Sequence, residues 1–178
     1  MRKRMSQTNF APIIELEAFE QIRGAIKGSL VLTSGGFDPI HPGHLSCIVD
    51  SKQFGDELVV VVNGDWFLTD KKGAPFQDLA MRCKIVAAIK GVDYVVPFEI
   101  ENDRTVNVAL EVIQPDTFTK GGDRHDAASI PEWDTCHSNS IEVVTGVGDS
   151  KVHSSSDIME DWFQARLRIF GKKNTATT

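Results

Sequence analysis

His41 and His44 lie three residues apart in the stretch Thr33-Ser-Gly-Gly-Phe-Asp-Pro-Ile-His-Pro-Gly-His-Leu-Ser46. An apolar run, Ser29-Leu-Val-Leu32, precedes the stretch, and an apolar-periodic segment, Leu45 to Phe54, follows it. That order predicts strand, glycine loop, helix. Pro42 fits the first helical turn, where its missing N–H costs nothing. The spacing lets both imidazoles face the same way at the helix entrance. A helix N-terminus offers unpaired N–H donors and the positive end of a dipole, so it attracts phosphate. Gly35 and Gly36 sit where the chain must turn sharply or let a ligand approach its backbone. The chemistry open to these groups is stabilisation of charge on a phosphoryl group. A desolvated imidazole at such a place tends to be neutral in the free protein. Asp38 either orients an imidazole or caps the helix, and Phe37 reads as core.

Further phosphate-binding groups follow. Ser154, Ser155 and Ser156 before Asp157 have the pattern of an N-cap with a capping-box carboxylate. Three hydroxyls beside free N–H groups also make a phosphate cradle. Lys71 and Lys72 fall in a polar stretch, Gly64 to Pro75, predicted to be a loop. They are either solvated charges or cations that close over a triphosphate. Arg82 lies in a helix with a mainly apolar face, where it reads as half of a structural ion pair. Lys120-Gly-Gly-Asp123 is a second glycine turn at a strand end. Cys47, Cys83 and Cys136 contain no C-x-x-C pair, and Arg124, His125, Cys136 and His137 show no metal-ligand spacing. A G-x-x-x-x-G-K-[ST] loop and a G-x-G-x-x-G helix opening are both absent.

The elements that must position these groups alternate along the chain. An amphipathic helix is predicted over 15–27 (Leu16, Phe19, Ile22, Ile26), and a helix over Pro42 to Phe54. Glu57-Leu-Val-Val-Val-Val-Asn63 has the continuous β-branched run of a strand buried on both faces. A helix over Asp78 to Lys90, a strand at Tyr94–Val96, a helix over Val106 to Ile113 and strands at Thr117–Thr119 and Ile141–Val144 follow. The last helix, opened at Ser154, carries the apolar face Ile158, Trp162, Ala165 and Ile169. A polar tail occupies 171–178. Alternation of strand and helix predicts an α/β fold with a parallel sheet. The 178 residues suit one domain, with a core over about 29–166 and a helical extension over 1–28. A net charge of −6 argues against non-specific binding to nucleic acid or to an acidic membrane surface. No run approaches the ~20 apolar residues of a membrane span, and the basic N-terminus leads into no apolar signal region. A cytoplasmic protein is expected.

Gly35-Gly-Phe-Asp-Pro-Ile-His-Pro-Gly-His-Leu45 resembles the signature of the cytidylyltransferase-like nucleotidyltransferases, the superfamily marked by an H-x-G-H motif. Asn63-Gly-Asp65, the two lysines, Arg82 and Ser154-Ser-Ser-Asp-Ile158 follow in the family's order. Within the superfamily, Arg82, Val92–Phe98 and Lys120–Asp123 look most like the heptose 1-phosphate adenylyltransferase branch, with glycerol-3-phosphate cytidylyltransferase as its neighbour. The resemblance implies a Rossmann-like doubly wound parallel sheet with helices on both faces. It implies transfer of a nucleoside monophosphate from an NTP, ATP first, to a phosphorylated sugar, with release of pyrophosphate. Mg²⁺ comes with the NTP, and no protein metal ligand is assigned.

The same resemblance assigns roles residue by residue. His41 and His44 meet the transferring phosphoryl group, and one of Lys71 and Lys72, with Arg82, meets the substrate phosphates. Gly35, Gly36, Phe37 and Asp38 belong to the nucleotide loop. Lys120, Gly121, Gly122 and Asp123 hold the ribose or base, and Ser154, Ser155 and Ser156 the outer phosphates. A homodimer is implied as well. The chain departs from the pattern at Asp149-Ser-Lys-Val-His153, where some cytidylyltransferases carry Arg-Thr-Glu-Gly-Ile; Lys151 then supplies part of the missing charge. Arg124 replaces the aromatic residue usual in the heptose branch. Two alternatives stand beside the leading expectation. One is a cytidylyltransferase acting on glycerol 3-phosphate or a related alcohol phosphate, and the other is a non-catalytic nucleotide-binding module.

Overall fold

The computed structural model describes residues 10–121, 129–149 and 154–175. In chain order its elements are α1 (Leu16–Arg23), β1 (Leu30–Gly35), α2 (Pro42–Ser51), β2 (Glu57–Asn63), α3 (Asp65–Lys72), α4 (Leu79–Ala87), β3 (Tyr94–Phe98), α5 (Asn107–Ile113), β4 (Thr117–Gly121), α6 (Trp133–Ser138), β5 (Glu142–Val147) and α7 (Ser155–Thr175). The strands form one parallel sheet in the order β3-β2-β1-β4-β5. From β1 the chain steps outward to β2 and β3, then returns to the other side of β1 for β4 and β5. The order therefore reverses between β1 and β4, and their C-terminal ends flank the crevice where such sheets take ligands.

Side chains alternate across each strand and build two cores. Leu30, Leu32, Val59, Val61, Val96 and Phe118 meet Phe19 of α1, Leu110 and Ile113 of α5 and Cys136 of α6 on one face. Val31, Leu58, Val60, Val62 and Val95 meet Ile48 of α2 and Cys83 and Val86 of α4 on the other. Both faces of β2 are covered, which is why its sequence is a β-branched run rather than an alternation. Phe19 is fully buried, so α1 closes the core rather than adding to it from outside. Pro97 extends β3 beyond the expected Val96. It is tolerated because β3 is an edge strand whose ladder does not need its missing N–H.

Three expectations change. Residues 65–72, expected as loop, form α3: Gly64 is its N-cap, Asp65 sits in the first turn, Lys71 and Lys72 in the last, and Gly73 ends it at φ 91°. Its apolar residues are consecutive (Trp66, Phe67, Leu68), so no helical period announces it. The polar segment around Trp133 contains α6. α7 runs to Thr175, so the first part of the expected tail is helical. Among the described residues, no helix is long and apolar enough to cross a membrane.

Candidate active site

The loop from Gly36 to His41 leaves β1 at the reversal point and delivers the two histidines to the start of α2. His41 is the N-cap residue, in extended conformation, and Pro42 is N1. The two imidazoles stack, with centroids 3.7 Å apart and planes 23° from parallel. Phe37 meets His44 edge-on at 5.3 Å. Gly43 makes the stack possible: a Cβ there would lie 3.2 Å from His41 Cε1, tighter than a packed ring accepts without shifting. His44 Nδ1 is buried with no hydrogen-bond partner. Burial, then the charges of His41, Lys72 and Lys71, lower the His44 pKa to about 3. His44 is therefore a neutral imidazole at physiological pH.

Buried polar contacts fix the loop from behind. Both Asp38 carboxylate oxygens accept backbone N–H groups, from Phe76 at 2.7 Å and Gln77 at 2.9 Å. Asp38 thus neither orients an imidazole nor caps α2; it fastens the glycine loop to the segment before α4. The Phe37 side chain is core, as its sequence context suggests. Arg82 is fully buried. It donates to the carbonyls of Gln77 (2.9 Å), Gly36 (2.8 Å) and Asn63 (2.5 Å) and to Asp65 Oδ1 (2.6 Å). Its guanidinium joins the ends of β1 and β2 to the start of α3 and is not presented to a substrate phosphate. The structural ion pair is the correct reading, and the expected phosphate contact is withdrawn.

α3 is held at its other side by Glu99, whose carboxylate accepts from Asp65 N (2.5 Å) and Trp66 N (3.0 Å). This cap comes from the loop after β3, over thirty residues away, and no local pattern marks it. So anchored, α3 presents Lys72, whose ammonium donates to the Asp38 carbonyl at 2.7 Å. Desolvation lowers the Lys72 pKa, with Lys71 and Arg82 pushing the same way and Asp38 opposing. Lys71 lies 5.3 Å over the Phe67 ring. The bond to Asp38 fastens Lys72 to the histidine loop.

The serine cluster arrives from the opposite side. Ser154 and Asp157 form a reciprocal capping box, Ser154 N to Asp157 Oδ2 at 2.9 Å and Asp157 N to Ser154 Oγ at 3.2 Å. Ser155 Oγ donates to the Pro39 carbonyl at 3.1 Å, which places the start of α7 beside the histidine loop. Ser156 is exposed. At the end of β4, Lys120 donates to Ser34 Oγ at 3.1 Å and pairs with Glu132 at 3.4 Å, largely buried. Gly121 packs against Cys47 of α2, where a Cβ would lie 2.8 Å from Sγ. Gly122, Asp123 and Lys151 lie outside the described residues. The groups brought together on loop 36–44 are thus His41, His44, Lys72 and Ser155.

A magnesium ion needs oxygen donors, chiefly carboxylates. The one carboxylate in the loop, Asp38, has both oxygens engaged by amides. Among the described residues no three His, Cys, Asp or Glu side chains cluster to hold a metal. The described residues therefore form no cation site of their own.

A family model described as cytidylyltransferase-like matches residues 32–161, spanning β1 to the start of α7. The chain belongs to the cytidylyltransferase-like family. Relatives include the bifunctional protein HldE of Nitrosococcus oceani, 41% identical over 96 residues, covering 53% of this chain and 20% of the relative. HldE of Marinomonas sp. is 31% identical over 166 residues, covering 90% of this chain and 34% of the relative. The chain spans a fifth to about a third of the length of these relatives. The lipopolysaccharide core biosynthesis protein of Thermoplasma volcanium GSS1 superposes with a TM-score of 0.56 at 27% identity, covering 68% of this chain and 98% of that one. A pantoate-beta-alanine ligase from Francisella tularensis shares the fold, with a TM-score of 0.58 at 15% identity over 81% of this chain and 68% of that one. The Rossmann-like parallel sheet expected from the H-x-G-H stretch is the one observed.

Proposed function

We propose that this chain transfers a nucleoside monophosphate from an NTP to a phosphorylated sugar. An oxygen of the sugar phosphate attacks the α-phosphorus of the NTP, a new P–O bond forms, the bond to the β-phosphate oxygen breaks, and pyrophosphate leaves. Such a transfer needs in-line positioning and neutralisation of charge more than covalent participation by the protein. The observation that carries the reading is the stacked His41–His44 pair at the N-terminus of α2, at the point where the strand order reverses. A neutral His44 donates one N–H to a phosphoryl oxygen, and its partnerless Nδ1 marks a polar atom that a ligand or water must satisfy. The amides that open α2 and the ammonium of Lys72 add positive potential on the same side. The amides at the start of α7 suit the outer phosphates. Mg²⁺, were it bound with the triphosphate, would supply further neutralisation of its charge.

ATP and heptose 1-phosphate are the favoured pair. The resemblance of Val92–Phe98 and Lys120–Asp123 to the heptose branch points that way, and so does similarity to a protein of lipopolysaccharide core biosynthesis. Each NTP in turn, with Mg²⁺ and a panel of sugar and polyol phosphates, is to be assayed for pyrophosphate and followed by ³¹P NMR. Signals of a new diphosphate with ATP and a sugar 1-phosphate support the proposal. Product only with CTP and glycerol 3-phosphate overturns the pairing, and nucleotide binding without turnover on any acceptor overturns the enzyme reading.

A further inference from the structure

Glu132 is the N-cap residue of α6, and its side chain is only 4% exposed. Oε1 accepts the Val106 N–H, at the start of α5, at 3.3 Å. Oε2 stands 3.4 Å from Lys120 Nζ, an ion pair whose geometry makes no hydrogen bond, and it has no other partner among the described residues. Lys120 is itself only 12% exposed, and its ammonium lies 4.6 Å over the Phe118 ring. The layer around the pair is apolar, with Phe118 and Cys136 both in the core on this face. Taking two charges out of water is costly, and apolar side chains of similar volume often serve a fold as well as a buried ion pair. Stability alone therefore does not account for this one.

Its place in the sheet gives it a use. Thr33 of β1 pairs with Thr119 of β4, so Ser34 and Lys120 are the next residues at the C-terminal ends of these strands. Lys120 reaches across the gap and donates to Ser34 Oγ at 3.1 Å. Alternation puts Ser34 and Lys120 on the face of Leu32 and Phe118, towards α5 and α6. His41, His44, Lys72 and the start of α7 gather on the other face, with α2. In-line transfer brings the attacking oxygen in opposite the leaving one. A cation across the strand ends from the groups suited to the leaving pyrophosphate therefore stands on the side of attack. We infer that Glu132 is a positioning residue: it holds the Lys120 ammonium at the β1–β4 crevice, where that ammonium receives the phosphate of the acceptor rather than the ribose or base of the nucleotide. The inference rests on the proposed transfer and adds to it the group that seats the second substrate.

Steady-state kinetics of the full chain with Mg²⁺, ATP and heptose 1-phosphate separates the two substrates, and calorimetry reads ATP binding alone. Glu132→Gln keeps an oxygen for Val106 N and removes the charge that holds Lys120. It should raise KM for the sugar phosphate about tenfold, with KM and Kd for ATP changed less than about twofold. Lys120→Met/Glu132→Leu leaves no buried charge unpaired, so it should keep the melting temperature within a few degrees while raising the same KM about tenfold or more. Lys120→Met/Glu132→Gln should be no worse in that KM than Lys120→Met, because Glu132 acts only through Lys120. A purely structural pair would shift both substrates together or neither. Turnover with a sugar-phosphate KM indifferent to these variants overturns the inference, and so does a rise confined to the KM for ATP. An unaltered chain that releases no pyrophosphate with any acceptor is a different failure: it removes the transferase reading, and this inference with it.

Discussion

His41 and His44 stack with ring centroids 3.7 Å apart, and His44 Nδ1 is buried there without a hydrogen-bond partner. The folded-state pKa of His44, about 3, lies below its ordinary value of 6.5. The unfolded chain therefore binds a proton that the folded chain refuses, and stability falls as pH drops from 6.5 toward 3. His44→Gln should remove that part of the acid sensitivity, read as a flatter dependence of melting temperature on pH. Bound triphosphate, an anion, should raise the His44 pKa, so its ring resonances should start to titrate within the accessible range only when nucleotide is present.

Gly43 lies inside α2, where alanine is a better helix former. Gly43→Ala should leave the melting temperature unchanged or slightly higher. Its methyl meets the His41 ring at 3.2 Å and displaces it, so turnover should fall about 10- to 100-fold, as small misplacements of reacting groups do. Parallel thermal melts and turnover assays check the split.

Arg82→Met should destabilise the fold by about 3–5 kcal/mol, because the Gly36 and Asn63 carbonyls and Asp65 all lose their shared donor. Urea denaturation measures it. A substitution that left stability intact and raised only KM would instead make Arg82 a substrate ligand.

Lys72→Met should lower kcat/KM by about 10²- to 10³-fold, the scale for one donor lost from a preorganised anion site. Lys71→Met, which removes the ammonium beside Phe67 rather than the one on the Asp38 carbonyl, should cost less than about tenfold. Steady-state kinetics of the two variants separates neighbours that the sequence leaves equivalent.

What the sequence makes legible is what local pattern encodes. β2 begins and ends where its apolar run does, because burial on both faces leaves no other composition open to it. The H-x-G-H unit is legible for a similar reason: Pro42 at N1, Gly43 beneath the His41 ring and the two imidazoles are all requirements of one helix start. Asp38, Arg82 and Glu99 are not legible in this way, since even the ion-pair reading of Arg82 names no partner. Their partners, Phe76 and Gln77, Gly36 and Asn63, and Asp65 and Trp66, are distant in the chain and are mostly backbone groups, which carry no sequence signal. α3 escapes the periodicity argument because a distant cap holds it and its apolar residues do not repeat. The apolar stripe of α7 is legible, but the pattern alone cannot say that Ile158, Trp162 and Ile169 stay exposed.

The rate of pyrophosphate release from ATP with Mg²⁺ and a sugar 1-phosphate, compared between the unaltered chain and His44→Ala, tests the central claim most directly. His44→Ala should lower the rate by about 10²- to 10⁴-fold while the melting temperature stays within a few degrees, since the ring acts on the phosphoryl group and not on the fold. A His44→Ala protein that releases pyrophosphate at the original rate would contradict the account.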